Sequence, residues 1–157
     1  MYSAAFNHFY RFATNLHQTG LPSIRLMDAV MERPEQKQPY SISRWERNQI
    51  LVDQAIQSAG YCCEHKREHR TFLSQSTHHM YMEGHHIIPL KLQGTFPCSL
   101  DIYANIVSLC PTCHRLLHYG IFNDKKPVVD VIFSNRQDRL ATCGVKLSDS
   151  EIMEFYQ

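Results

Sequence analysis

Two histidines four residues apart, His114 and His118, follow directly on a Cys-x₂-Cys pair, Cys110 and Cys113. A gap of four places both imidazoles on one face of a helix, where they can grip a single ion. Cys-x₂-Cys is the knuckle spacing of zinc sites. The four residues do not share one ion, because Cys113 and His114 are neighbours and diverge by about 100° around a helix. A two-Cys, two-His finger would also hold its pairs about a dozen residues apart. Two separate sites are therefore expected, and each needs more ligands. For the histidine pair the supplier is Glu83-Gly84-His85-His86. Neighbouring side chains of a strand face opposite ways, so one histidine joins His114 and His118 while the other approaches the substrate. Three protein nitrogens with open positions describe a catalytic centre, whereas structural zinc is closed by four ligands. For the cysteine pair, partners come from Tyr61-Cys62-Cys63-Glu64-His65. Cys62 and His65 repeat the two-residue gap and give a Cys₃His set; Cys63 with His69 is the competing choice.

Composition bounds what these sites can serve. The chain has 157 residues, with 10 His and 6 Cys, and its 16 Lys+Arg against 15 Asp+Glu leave a net charge of +1. That length suits one domain, or a small domain with extensions. The balance excludes a generically polycationic nucleic-acid binder but leaves room for a local basic face. The start, Met1 to His8, lacks the basic and apolar regions of a secretory signal. No run approaches the roughly 18 apolar residues of a membrane span. A cytoplasmic protein is expected, with no membrane partner. In that reducing setting the cysteines are read as metal ligands rather than disulfides.

The elements that must position these residues can be read in outline. Residues 1–60 are expected to be mainly helical and free of obvious chemistry, serving specificity or dimerisation. Phe6, Phe9, Tyr10, Ala13 and Leu16 repeat at a helical period, and Pro34 to Pro39 reads as a polar linker. Ser43 with Glu46 forms a capping box for a helix that ends at Gly60. Residues 80–92 read as a strand or hairpin arm, and Ile106 to Leu109 as a short apolar strand. Pro111 opens a helix running to Tyr119 and Gly120. Beyond it, residues 125–157 are expected to form a strand over Val128 to Phe133 and a last helix capped by Ser148 and Glu151.

Residues 61–120 resemble the HNH (His-Asn-His) endonucleases, in the zinc-stapled branch found among restriction and phage nucleases, which implies a nuclease core over residues 61–124. The resemblance rests on Glu83-Gly84-His85-His86-Ile87-Ile88-Pro89-Leu90, Asn105-Ile106-Val107-Ser108-Leu109 and Cys110-Pro111-Thr112-Cys113-His114-Arg115-Leu116-Leu117-His118, in that order. It implies an α+β fold with a ββα-metal core and a structural zinc knuckle. It also implies that His86 is the general base, a role suited to a group titrating near neutrality. His85, His114 and His118 correspond to the ligands of one catalytic divalent ion, Mg²⁺ or another such as Mn²⁺, and Asn105 to the residue bracing the loop. Glu83 is then a partner of a ligating imidazole, and Arg115 either contacts phosphate or pairs with Glu83. Upstream the chain departs from the family pattern: relatives carry Cys-x₂-Cys where this one has Cys62-Cys63-Glu64-His65-Lys66.

The expected function is a metal-dependent endonuclease that hydrolyses the phosphodiester bonds of double-stranded DNA, of restriction type. Two active sites would be needed to cut both strands, so a homodimer is expected. The alternative is a non-catalytic zinc-ribbon module that binds DNA or protein using only the cysteine set. The remaining candidates carry less. His78 and His79 read as exposed loop residues, Cys98 and Cys143 as buried or free thiols, and Lys125-Lys126 as a short solvated charge run.

Overall fold

The computed structural model describes residues 47–157. The helical expectations for the first 46 residues, including the Ser43 capping box, lie outside the described residues.

Helix α1 spans Gln49–Ser58. Asn48 caps it, its side chain accepting from Ile50 N, and the chain leaves it through Gly60 at φ +66, a conformation that glycine adopts without Cβ strain. Strands β1 (Glu83–His86) and β2 (Ile106–Leu109) pair antiparallel, with His85 opposite Val107 and His86 opposite Ile106. The expected arm over residues 80–92 thus contracts to four strand residues, followed by a 3₁₀ turn at Leu90–Thr95. Pro89 marks that change, because a proline has no N–H to extend the ladder. Gly84 is fixed by close approach: a Cβ there would lie 2.5 Å from Val52 Cγ1 of α1.

Helix α2, Pro111–Tyr119, begins where the sequence places it. Pro111 occupies its first turn, and the Cys110 side chain accepts from Cys113 N. β1, β2 and α2 together form a ββα unit. Its core holds Ile87, Ile88, Leu100, Val107, Leu109 and Leu117.

The stretch Val128 to Phe133 is not a strand but the second half of α3, Phe122–Ser134. Val128, Val129, Ile132 and Phe133 are buried while Asp130 and Val131 are exposed, a period of 3.6 and not 2. β-branched composition suggested a strand; burial on one helical stripe wins. Pro127 inside α3 removes one hydrogen bond to Asn123, whose exposure leaves that carbonyl to solvent. Burying four large apolar side chains, each contributing about 1.5–3 kcal/mol, outweighs the roughly 3 kcal/mol cost of the proline. Helices α4 (Gln137–Thr142) and α5 (Asp149–Glu154) follow, and α5 carries the capping box expected from Ser148 and Glu151. No helix among the described residues is long and apolar enough to cross a membrane.

Candidate active site and metal centre

The alternation of β1 sends its two histidines to different places. His85 turns toward α2, where its ring lies 5.2 Å from that of His114 and 5.1 Å from that of His118. One nitrogen from each of the three imidazoles falls within 4.8 Å of the others. The Nε2 atoms of His114 and His118 are 3.2 Å apart. On its other side His114 meets Glu83 through Nδ1, so the carboxylate holds the ring with Nε2 aimed at the cluster. His85 is held too: its Nε2 lies 3.1 Å from the hydroxyl of Tyr156, which donates to Ile87 O at 2.7 Å. Burial first, then the nearby His114 and His118, holds His85 well below the usual histidine range. Burial first, then the nearby His114 and Arg115, lowers His118 as well. Both shifts disfavour the protonated form of His85 and His118, which leaves each ring a lone pair to offer a cation.

His86 turns away from that cluster. Its Nε2 meets Asp101 Oδ1 at 2.8 Å, while Asp101 Oδ2 accepts from Asn48 N at the start of α1. Burial lowers the His86 pKa, and the hydrogen bond and charge of Asp101 oppose that shift. A carboxylate only accepts, so Nε2 carries the proton and Nδ1 keeps a free lone pair. Asn105 is fully buried and spans the loop between the strands. Its Oδ1 accepts from Ile88 N at 2.8 Å, and its Nδ2 donates to Ile88 O and Leu100 O at 2.9 and 2.8 Å.

A cleft of about 410 Å³ opens over these residues, lined by His85, His86, His114 and His118 with the cations of Arg47, Lys91 and Lys125. The near-neutral chain thus concentrates positive charge beside its imidazoles. Lys125 also donates to Tyr156 O at 3.1 Å. Arg115 does not pair with Glu83; its guanidinium lies 5.9 Å from the Tyr119 ring centroid.

The second cluster takes the competing pair in place of the first choice. Cys63 and His69, not Cys62 and His65, gather with Cys110 and Cys113, all four ligand atoms lying within 4.8 Å of one another. The cause is backbone pairing: Glu64 N donates to Ser108 O at 2.8 Å, and Ser108 N donates to the Glu64 carboxylate. That pairing carries the neighbouring Cys63, fully buried, to the side of β2 that leads into Cys110. Cys62 faces the other way and donates to Gly60 O at 3.4 Å. His69 Nδ1 is 3.4 Å from both Cys110 Sγ and Cys113 Sγ, while His65 Nδ1 approaches only Cys113, at 3.3 Å. Hydrogen bonding with Cys113 draws the Cys63 thiol below its ordinary range, and the same contact pushes Cys113 up. Three thiols and an imidazole at this separation suit zinc, which favours four sulfur and nitrogen ligands. Cys98 and Cys143 are free thiols away from both clusters.

Asp101 and Tyr156 were not singled out from the sequence. Asp101 sits 15 residues beyond its histidine, in a loop marked by Gly94 and Pro97, and no spacing rule links them. Tyr156 lies 71 residues from His85 and carries no local signal at all.

Against this geometry, comparison with known proteins is direct. Residues 60–120 match the HNH endonuclease family. The matched span contains β1, β2, α2 and both clusters, and the resemblance drawn from the sequence is borne out. The chain is also 28% identical over 116 residues to the type IV methyl-directed restriction enzyme EcoKMcrA of Escherichia coli (strain K12). That alignment takes in 71% of this chain and 39% of the enzyme, so the chain spans about two fifths of its relative's length. An HNH domain with a restriction-enzyme relative supports a nuclease.

Proposed function

We propose that the chain is a metal-dependent DNA endonuclease of restriction type. The observation that carries this reading is the division of labour on β1: His85 faces His114 and His118, and His86 faces the same cleft with its Nδ1 unengaged. His85, His114 and His118 would hold the divalent ion, and their mutual distances fit one cation. When bound, that ion stabilises negative charge at the phosphate and the leaving 3′ oxygen. The all-imidazole donor set suits a later transition ion better than Mg²⁺. His86 accepts a proton from the attacking water at Nδ1, and Asp101 orients its ring. Asn105 fixes the loop that follows β1. Arg47, Lys91 and Lys125 receive the DNA backbone. Cys63, His69, Cys110 and Cys113 would hold a structural zinc at the start of α2, which suits a reducing compartment such as the cytoplasm.

Supercoiled plasmid incubated with the protein and Mg²⁺, Mn²⁺ or Ni²⁺ tests the reading. Nicking is expected, and His86→Ala should reduce its rate by about 10²–10⁴-fold. Cleavage unchanged in that variant would remove His86 as the base. The relative's name concerns methyl-directed restriction, so methylated and unmethylated plasmids belong side by side. A linear product would support the proposed homodimer, since each site cuts one strand. A zinc-ribbon binding module would need only the cysteine cluster; one bound zinc with no second ion and no nicking would favour it.

A further inference from the structure

We infer that Tyr156, at the end of the C-terminal helical segment, is a positioning residue that selects the nitrogen His85 presents to an ion. The inference rests on the proposed reading that His85, His114 and His118 share a cation. Tyr156 lies outside the matched residues 60–120, just beyond α5.

The Tyr156 hydroxyl has one proton and two close neighbours, Ile87 O at 2.7 Å and His85 Nε2 at 3.1 Å. The carbonyl can only accept, so the hydroxyl proton goes to it. Were the proton turned toward His85, two oxygen lone pairs would confront each other at 2.7 Å in a buried site. The hydroxyl oxygen is left as an acceptor, and His85 Nε2 must be the donor. A neutral imidazole with its proton on Nε2 keeps its lone pair on Nδ1. Tyr156 therefore fixes both the ring orientation and the tautomer of His85. Glu83 performs the complementary service for His114, engaging Nδ1 and freeing Nε2. The two anchors differ in origin: Glu83 lies on β1 itself, two residues from His85, whereas Tyr156 arrives from the far end of the chain. Tyr156 is buried, with Ile152 and Met153 of α5 in the same core, and Lys125 of α3 donates to its carbonyl. The hydroxyl is thus placed by packing and cannot swing away.

The test uses the full chain with zinc in its cysteine cluster. Long-range nitrogen–proton NMR correlations of the imidazole rings, recorded before any other ion is added, report which nitrogen of His85 is protonated. Calorimetric titration with Mn²⁺, and in parallel Ni²⁺, then measures affinity in the unaltered chain and in Tyr156→Phe. The expected result is a proton on Nε2 of His85 in the unaltered chain. In Tyr156→Phe it should redistribute over both nitrogens, with ion affinity falling about 10–100-fold. A packing role alone would change melting temperature without moving the tautomer. A proton on Nδ1 in the unaltered chain overturns the inference, as does unchanged affinity in Tyr156→Phe. Failure of the unaltered chain to bind either ion would instead sink the proposed metal reading, and the ion-free NMR measurement separates the two failures.

Discussion

Single side chains decide how both clusters are built. His86 and Asp101 form one unit, because the carboxylate supplies the acceptor that leaves Nδ1 of the imidazole free. Asp101→Asn keeps the shape but can offer an amide donor to Nε2, which favours the wrong tautomer. Its turnover should fall about 10–100-fold while ion affinity at the three-histidine cluster stays the same, checked by single-turnover cleavage and calorimetry. The cysteine cluster gives a second contrast. Cys63→Ser should abolish stoichiometric zinc retention, whereas Cys62→Ser should retain it; metal analysis of the purified variants reads both. Retention by Cys63→Ser would restore the set with Cys62. Much of this was legible in the sequence. The four histidines, Asn105 and the Cys-x₂-Cys pair stand out because their spacing is local and tied to one strand and one helix. The choice between Cys62 and Cys63 was not legible, since it depends on where Glu64 pairs with Ser108, 44 residues away.

Elements present these residues only as well as their own ends and faces are specified. Cap signals survived translation into structure: Pro111 opens α2, and Ser148 with Glu151 caps α5. Both are short-range and independent of the rest of the fold. Strand propensity failed at α3, where Val128, Val129, Ile132 and Phe133 satisfy a helical stripe that the tertiary core selects. Ile132→Ala should cost about 2–5 kcal/mol by chemical denaturation, a value expected of a buried stripe and not of a half-exposed strand. The α5 cap has a pH signature. Hydrogen bonds from Ser148 hold the exposed Glu151 carboxyl below its ordinary value. A depressed carboxyl contributes stability that is present above its unfolded value and lost as pH falls through the folded one. In Ser148→Ala the backbone N–H of residue 148 still donates to the carboxylate while the hydroxyl is gone, so the Glu151 titration, followed by NMR, should move part of the way up and the acid-side loss should shrink. Because α5 leads into Tyr156, the same variant tests how firmly the cap seats that hydroxyl.

At the scale of the whole molecule, the proposed reading has a near-neutral chain meeting a polyanion by local means. Three cations line the cleft of a chain whose net charge is only +1. Binding to nonspecific DNA should accordingly show a shallow salt dependence, a slope of roughly −3 in log K against log salt if those three cations alone meet phosphates. A steeper slope would mean that further cations, outside this cleft, reach the backbone. One buried core runs from Cys63 to Tyr156, but residues 61–70, which carry Cys63 and His69, contain no helix or strand. Removing zinc with a strong chelator should lower the melting temperature and loosen residues 61–70 first, as hydrogen exchange would report.

Cys113 and His114 are consecutive residues of α2, yet they belong to opposite clusters. One peptide unit therefore joins the two clusters. Under the proposed reading this makes them thermodynamically linked, and linkage is reciprocal: whatever the first ion gives to the second in affinity, the second returns in equal measure. Occupancy of the thiol cluster would then act as a licence for the imidazole cluster, so that a chain starved of zinc is disarmed before it unfolds.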